Sequence, residues 1–323
     1  MATLRDCSEA GLLQILAPFF AAPDAGLVVG AGDDAAVLRG TGDLVVTMDL
    51  LLEGVHFSPQ TTPAHAVGWR ACAANLSDLA AMGATGVGLL VGLGLPPETQ
   101  LSWVEGVYQG LTDCARPWGV PIVGGDTCRS RQLGLSITAL GRVAEGRAWL
   151  RSDCRPGDLL VVTGPLGGSR AGLEVLLDPE RFVYHDPEHV RWAVQAHQYP
   201  QPRLDWVAPL QQLNTSIAAM DTSDGLADAL VQMAQKSGVG MVVDLSQIPL
   251  TPAVRALGAD KALDWALYGG EDFELLLSLP PPVLARIAHP GLQVIGQVIA
   301  SSATVHDTAG HPIEREQAFA HFA

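Results

Sequence analysis

The sequence predicts an α+β protein built from two mixed domains, residues 1–149 and 150–323. Three observations predict it. The chain has 323 residues, 48% apolar and only 16% charged, which suffices for two cores and is too apolar for disorder. Strand-like and helix-like segments mix in both halves without strict β-α alternation. Between the halves, residues 147–157 (RAWLRSDCRPG) gather charge, proline and glycine as a linker does. Aromatics are scarce at 6% while glycines number 35, so the cores are expected to be aliphatic and the turns tight.

The elements follow in order. Residues 8–20 (SEAGLLQILAPFF) read as a short amphipathic helix capped by Ser8. Residues 28–32 form a short strand running into Asp33 and Asp34, and residues 44–50 (LVVTMDL) a second strand. A long helix over 63–82 is stopped by Gly83. Residues 79–97 carry no charge, but they contain Gly83, Gly86, Gly88, Gly92 and Gly94 and end in Pro96-Pro97. A helix end, a glycine turn and a buried strand over 87–95 explain them better than a membrane span. A helix over 102–116 precedes a strand over 120–123 that leads into Gly124-Gly125-Asp126. Residues 133–143 alternate Leu133, Leu135, Ile137 and Ala139, a strand with one face buried. In the second half, a strand over 158–163 and a glycine turn over 164–168 precede a helix over 169–177. Residues 185–205, with several prolines and histidines, read as a surface segment. A helix over 223–236 and strands over 241–245, 273–279 and 294–299 complete the chain, and no short repeat recurs.

Charge bounds the chemistry. The net charge is −15, with only two lysines, Lys236 and Lys261. A nucleic-acid binder needs a basic face, and none is visible. An anionic substrate is repelled by the average field unless cations intervene. Five cysteines, widely spaced and with no C-x-x-C, read as reduced thiols. The first residues, MATLRDCSEAG, lack the apolar run of a signal peptide. A cytoplasmic protein with no membrane segment is therefore expected.

One pattern recurs: an apolar strand ends, glycine follows, and acids stand directly after. It appears in VVGAGDDAAVL, IVGGDT and ALYGGEDFELLL, and AAMDTSDGLADAL sets Asp221 and Asp224 just before and at the start of a helix. Read singly, each is an Asx turn or an N-cap. Asp78 is harder to explain that way. It lies mid-helix, where aspartate is a poor former, with Ala74 and Met82 one turn away on the same face. A buried carboxylate there needs a partner, for which Arg70 or a bound divalent metal qualifies. Nine acids (Asp33, Asp34, Asp49, Asp78, Asp126, Asp221, Asp224, Glu271, Asp272) exceed the needs of one Mg²⁺ ion. If they converge, several cations must hold them ionised, and the natural ligand of such a polynuclear site is a polyphosphate. No G-x-x-x-x-G-K-[ST] loop, G-x-S-x-G or H-E-x-x-H motif is present. The 164–168 turn offers amides to a phosphate but no lysine, and otherwise is a plain strand-to-helix turn. His56, just past the Asp49 strand, is the histidine nearest the acids.

Six motifs in this order, GDDAAVL, TMDLLLEGVHF, NLSDLAAMGA, GGDT, DTSDGL and GGEDFELL, resemble the thiamine-monophosphate kinase family. It lies within the superfamily of ATP-dependent enzymes that includes aminoimidazole ribonucleotide synthetase, selenophosphate synthetase and a hydrogenase maturation protein. The resemblance runs from about residue 28 to the C-terminus. It implies transfer of phosphate from ATP to thiamine monophosphate, giving thiamine diphosphate. It also implies an ATP- and Mg²⁺-binding N-terminal domain whose strands form a barrel across a homodimer, and an α+β C-terminal domain. Carried over by motif, Asp34, Thr47, Met48 through its carbonyl, Asp49, Asp78, Asp126, Asp221 and Asp224 would hold Mg²⁺. Gly125, Asp126, Arg151 and Ser223 would contact ATP, and His56, Glu271 and Phe319 the thiamine phosphate. Met48 stands where threonine can occur, which matters little for a carbonyl ligand. Phe319 stands where tyrosine is expected, so stacking survives but a hydroxyl hydrogen bond does not. A phosphate monoester is already ionised at neutral pH and needs no general base, so none of the aspartates is assigned proton abstraction.

Two other readings compete. Sibling ATP enzymes that handle selenide or carry a reactive C-terminal thiol need a cysteine or lysine at a chain end, whereas this chain ends in FAHFA. A non-enzymatic cation-binding protein predicts D-x-D-x-D-G loops, which are missing.

Overall fold

A computed structural model describes residues 9–20, 27–29, 37–213, 215–287 and 291–315. Asp33, Asp34 and Phe319, like Ser8 and Cys7, lie outside the described residues. The chain divides into two compact units, Met1–Leu79 with Ala84–Gly146, and Ala80–Gly83 with Arg147–Ala323.

In the first unit, α1 (Glu9–Leu16) runs into a 3-10 turn, and β1 (Leu27–Val29) pairs antiparallel with β2 (Val37–Leu38). A four-stranded sheet follows. It comprises β3 (Asp43–Leu52), β4 (Thr85–Leu95), β5 (Ile122–Arg129) and β6 (Gly134–Val143), in the order β3-β6-β4-β5. The β4–β5 pair is parallel and the others antiparallel. The helices α2 (Ala64–Ala81) and α3 (Leu101–Ala115) fill the crossovers. Period-two alternation sorts the sheet. Leu89, Val91, Leu93, Leu135, Ile137 and Ala139 point inward and are buried. On β3 the opposite set, Leu44, Val46, Met48 and Leu50, remains 50–60% exposed although apolar. The sheet is open, with β3 and β5 at its edges, and does not close into a barrel within the chain. The uncharged stretch is the end of α2, a turn at Gly83 with φ 66°, and β4. Among the described residues no helix is long and apolar enough to cross a membrane.

The second unit is built on six strands. They are β7 (Leu159–Val162), β8 (Ala218–Asp221), β9 (Gly240–Val243), β10 (Leu275–Leu279), β11 (Gln293–Ile299) and β12 (Val305–Asp307), ordered β12-β9-β11-β7-β10-β8. All pairs are antiparallel except β12–β9. Among the described residues seven helices accompany them: α4 (Gly168–Leu177), α5 (Pro187–Gln198), α6 (Val207–Gln211), α7 (Leu226–Ser237), α8 (Pro252–Gly258), α9 (Ala262–Tyr268) and α10 (Pro281–Ile287). Alternation again decides which face meets which core. Leu160, Val162, Met220 and Leu276 join α7 on one face, and Val161, Ala219, Leu275 and Leu277 join Trp149, Trp206 and α6 on the other. A third cluster is shared by α4, α5, α8 and α9.

Three expectations are corrected here. The 185–205 segment contains α5, which starts with Pro187 after an Asp186 side-chain cap and buries Ala193 and His197. The helix expected from residue 223 begins at Leu226, after Gly225 at a positive φ of 102°, so Asp224 stands in a loop. The charged 147–157 segment is not a bare linker, because Trp149 and Cys154 are buried in the second unit.

Candidate functional site

In the first unit, β3 and α2 bring the Asp49 and Asp78 motifs together. Outward residues of β3 alternate with inward ones, so Thr47 and Asp49 face α2 while Met48 faces away, its side chain exposed. The Thr47 hydroxyl donates to Oδ2 of Asp78. The Asp49 amide donates to Oδ1 of Asn75 at 3.2 Å, and Asn75 in turn donates from Nδ2 to the Ala71 carbonyl at 2.9 Å. Asp78 is half-buried, so its desolvation is milder than for a core carboxylate. Arg70 is buried and donates to the His56 carbonyl at 3.4 Å. His56 sits in the turn after β3, where the Leu52 amide donates to its Nδ1 at 3.1 Å. That bond makes Nδ1 an acceptor, which leaves Nε2 as the ring's donor.

Gly125 and Asp126 are exposed on β5. The register sets Asp49 opposite Ile137, Ile137 opposite Val91, and Val91 opposite Gly125. Asp49 and Gly125 thus share one cross-sheet row at opposite edges, roughly 14 Å apart at about 4.8 Å per strand. Gly125 is required by close approach, since a Cβ there would lie 2.1 Å from the Val91 carbonyl oxygen.

In the second unit, the DTSDG and GGEDFE loops are stitched together. Ser223 Oγ donates to Oδ1 of Asp221 at 2.9 Å. The Glu271 amide donates to the Ser223 carbonyl at 2.8 Å, and the Thr222 amide to the Glu274 carbonyl at 2.9 Å. Asp221 is buried, Ser223 and Glu271 are half-buried and Asp224 is exposed. Gly270, at φ 67°, lets the loops touch, because a Cβ there would lie 2.5 Å from the Ser223 carbonyl oxygen. Glu271 and Phe273 hold φ of 58° and 53°, a left-handed conformation costing about 1–2 kcal/mol each for residues with a Cβ. Arg151 is exposed and reaches α7, donating from Nη1 to Oε1 of Gln232 at 2.9 Å. Gln232 also donates to Asp228 at 2.6 Å, and Asp228 pairs with Arg315 at 3.2 Å.

The glycine turn at 164–168 does not present its amides as an open phosphate cradle. Gly167 N donates to Oδ2 of Asp272 at 2.6 Å and Ser169 N to Oδ1 at 2.8 Å. Burial pushes the Asp272 carboxyl up to about 7, against the opposing pull of these amides. Burial also raises Glu274, opposed by Arg203, whose Nη1 lies 2.8 and 2.9 Å from its two oxygens. Sequence reasoning missed Asn75, Arg203, Glu274, Asp228 and Gln232. Asn75 stood in the quoted NLSD motif, and Glu274 in GGEDFE, as their only signals.

Among the described residues, no three His, Cys, Asp or Glu side chains gather as a ready metal cage. The donors present are nonetheless all hard oxygens: a hydroxyl against a carboxylate at Thr47–Asp78, and another at Ser223–Asp221. That set fits a Mg²⁺ ion bound through one or two carboxylates, waters and nucleotide phosphates.

The AIR synthase related protein N-terminal domain matches residues 32–143, and its C-terminal domain residues 155–307. A thiamine-monophosphate kinase of Synechococcus elongatus is 44% identical over 306 residues, covering 92% of this chain and 90% of its own. The crystal structure of a thiamine-monophosphate kinase from Stenotrophomonas maltophilia K279a superposes with TM-score 0.83 at 33% identity, over 95% of this chain and 98% of that one. A structure of AaThiL complexed with AMPPCP and TMP superposes with TM-score 0.78 at 31% identity, over 100% and 99% of the two chains.

Proposed function

Since the chain belongs to the thiamine-monophosphate kinase family, built from the two AIR synthase related domains, we propose that it transfers the γ-phosphoryl group of ATP to thiamine monophosphate. The products are ADP and thiamine diphosphate. The observation that carries this reading is the junction of β3 with α2, where Thr47, Asp49, Asn75 and Asp78 form one oxygen-rich cluster. The relative bound to both AMPPCP and TMP supports the choice of substrates.

The chain's residues take their roles from this reading. Thr47, the Met48 carbonyl, Asp49, Asp78, Asp126, Asp221 and Asp224 hold Mg²⁺, with Asp34 outside the described residues as a further ligand. Magnesium held by these residues would supply the positive charge that neutralises the phosphates for in-line transfer. Gly125, Asp126, Arg151 and Ser223 contact ATP, Arg151 supplying the positive charge that a lysine supplies elsewhere. His56 donates from Nε2 toward the acceptor, and Glu271 and Phe319 line its pocket. The acceptor phosphate is its own nucleophile, so no side chain removes a proton. Buried free thiols at Cys72, Cys114 and Cys154 support a cytoplasmic setting. The test is ADP release by the purified chain with ATP and Mg²⁺. It should require thiamine monophosphate and fail with free thiamine, which lacks the anionic nucleophile. ADP release independent of acceptor, or faster with free thiamine, would refute the assignment.

We further propose that the chain works as a homodimer whose two β3 edges complete a barrel. Leu44, Val46, Met48 and Leu50 line an uncovered edge, which natural proteins rarely leave open to water. In sedimentation, the wild type is expected to run as a dimer and Val46→Glu as a monomer. A wild type that stays monomeric at micromolar concentration contradicts the dimer.

A further inference from the structure

We propose that Asp272 is a positioning residue for acceptor binding. It fastens the 270–273 loop to the start of α4 and so sets the direction in which the Glu271 side chain leaves the backbone. The inference rests on the reading that Glu271 contacts thiamine monophosphate.

The geometry begins with α4. This helix is entered through Gly167 at φ 83°, and no side chain from its own N-cap satisfies its first amides. The amide of Gly167 itself and that of Ser169, the second residue of the helix, are met instead by Asp272, more than a hundred residues further along the chain, which accepts one bond on each carboxylate oxygen. A plain helix cap would come from the preceding residue at far smaller conformational demand. Here the capping side chain stands between Glu271 and Phe273, both in the left-handed region. Residues with a Cβ persist there only when their surroundings over-determine them.

Two attachments supply that constraint. On one side the Glu271 amide is tied to the Ser223 carbonyl. On the other, Asp272 is tied to Gly167 and Ser169. The Cα–Cβ direction of Glu271 follows from its backbone angles, and those angles are held between the two ties. Releasing the Asp272 tie lets residue 271 return toward ordinary backbone conformations, which swings its carboxylate away. The Ser223 tie and the β10 strand beyond the loop remain, so the nucleotide-facing residues keep their places.

The test uses the full chain and thiamine monophosphate, followed by calorimetry and steady-state kinetics. Asp272→Asn keeps the shape but turns an NH₂ group toward one amide donor. It is expected to weaken thiamine monophosphate binding and raise its KM by about tenfold or more, with the KM for ATP changed less than twofold. Glu271→Gln is expected to weaken the acceptor similarly, and the double variant to be no weaker than Glu271→Gln alone, because Asp272 acts through Glu271. If Asp272→Asn melts below the assay temperature, Asp272→Glu, which keeps both oxygens, is read instead and should show a smaller, still acceptor-selective loss. The assignment is overturned by a folded Asp272→Asn with unchanged acceptor affinity, by equal losses for ATP and acceptor, or by losses that multiply in the double variant. A wild type that neither binds nor phosphorylates thiamine monophosphate overturns the functional reading itself, and this assignment with it.

Discussion

Asp78→Asn is expected to lower kcat by about 10²–10³-fold while the protein stays folded. Asp78 projects from α2 beside β3, and Thr47 donates to one of its oxygens. Asparagine fits the same space and keeps one acceptor oxygen, so the Thr47 hydroxyl still has a partner. The residue is half-buried, which limits the stability change to about 1 kcal/mol. In the proposed reaction, what asparagine cannot supply is the negative charge that would draw Mg²⁺ to the transferring phosphate. Thr47→Val removes the hydrogen bond and one neutral oxygen of the proposed metal set yet keeps that charge, and its loss of kcat should be the smaller of the two. Kinetics at saturating Mg²⁺, with a thermal melt of each variant, separates these effects. Activity within threefold of wild type in a folded Asp78→Asn would remove Asp78 from the metal set.

The second large effect is on stability. Arg203 holds Glu274 through both carboxylate oxygens, bonds the Thr163 carbonyl at 3.1 Å, and pairs with Asp205 at 2.9 Å. Burial works against the Arg203 charge, but Asp205 and Glu274 more than offset it. Glu274 is itself buried and joined to the Thr163 hydroxyl. Arg203→Ala leaves that carboxylate without its cation, at an expected cost of about 3–5 kcal/mol in chemical denaturation. Arg203→Met with Glu274→Leu removes both charges and should cost less. The pH dependence carries a sign. Without Arg203 the Glu274 pKa rises further above its ordinary value of 4.5, so the folded state binds a proton that the unfolded state lacks. Stability of Arg203→Ala should therefore increase as pH falls toward 4.5 from above, and plateau below it. An Arg203→Ala variant as stable as wild type at neutral pH would show that the ion pair is not structural.

Most long elements were legible, and the reasons are local. The helix α2 has an unbroken periodic pattern closed by Gly83, and β6 alternates residue by residue. The strand β8 was not anticipated because AAMD is four residues long and buried on both faces, which leaves no alternation to read. The helix α5 was hidden by its histidines and flanking prolines, although Asp186-Pro187 is a helix start. The short helices α8 and α9 depend on packing with α4 and α5 rather than on their own periodicity.

The site divides the same way. The acids were visible as residues out of place, Asp78 above all, but its Thr47 partner lies 31 positions away and only the fold supplies it. The left-handed angles at Glu271 and Phe273 have no sequence signature, since neither is glycine. The glycines of the 164–168 turn leave two readings open, amides offered to a phosphate or a plain strand-to-helix turn, and the distant Asp272 that takes up those amides has no signal in the sequence.

In the proposed reaction, carboxylate oxygens of this chain would gather magnesium around the phosphates. The most direct measurement is a crystal grown with Mn²⁺, a non-hydrolysable ATP analogue and thiamine monophosphate, mapped by anomalous scattering, since Mn²⁺ shares the oxygen preference of Mg²⁺. The prediction is anomalous peaks at bonding distance from carboxylates of the Asp49–Asp78 cluster and from Asp221 or Asp224, with the cluster peak lost in Asp78→Asn. Nucleotide bound with no manganese beside any of these carboxylates would contradict it.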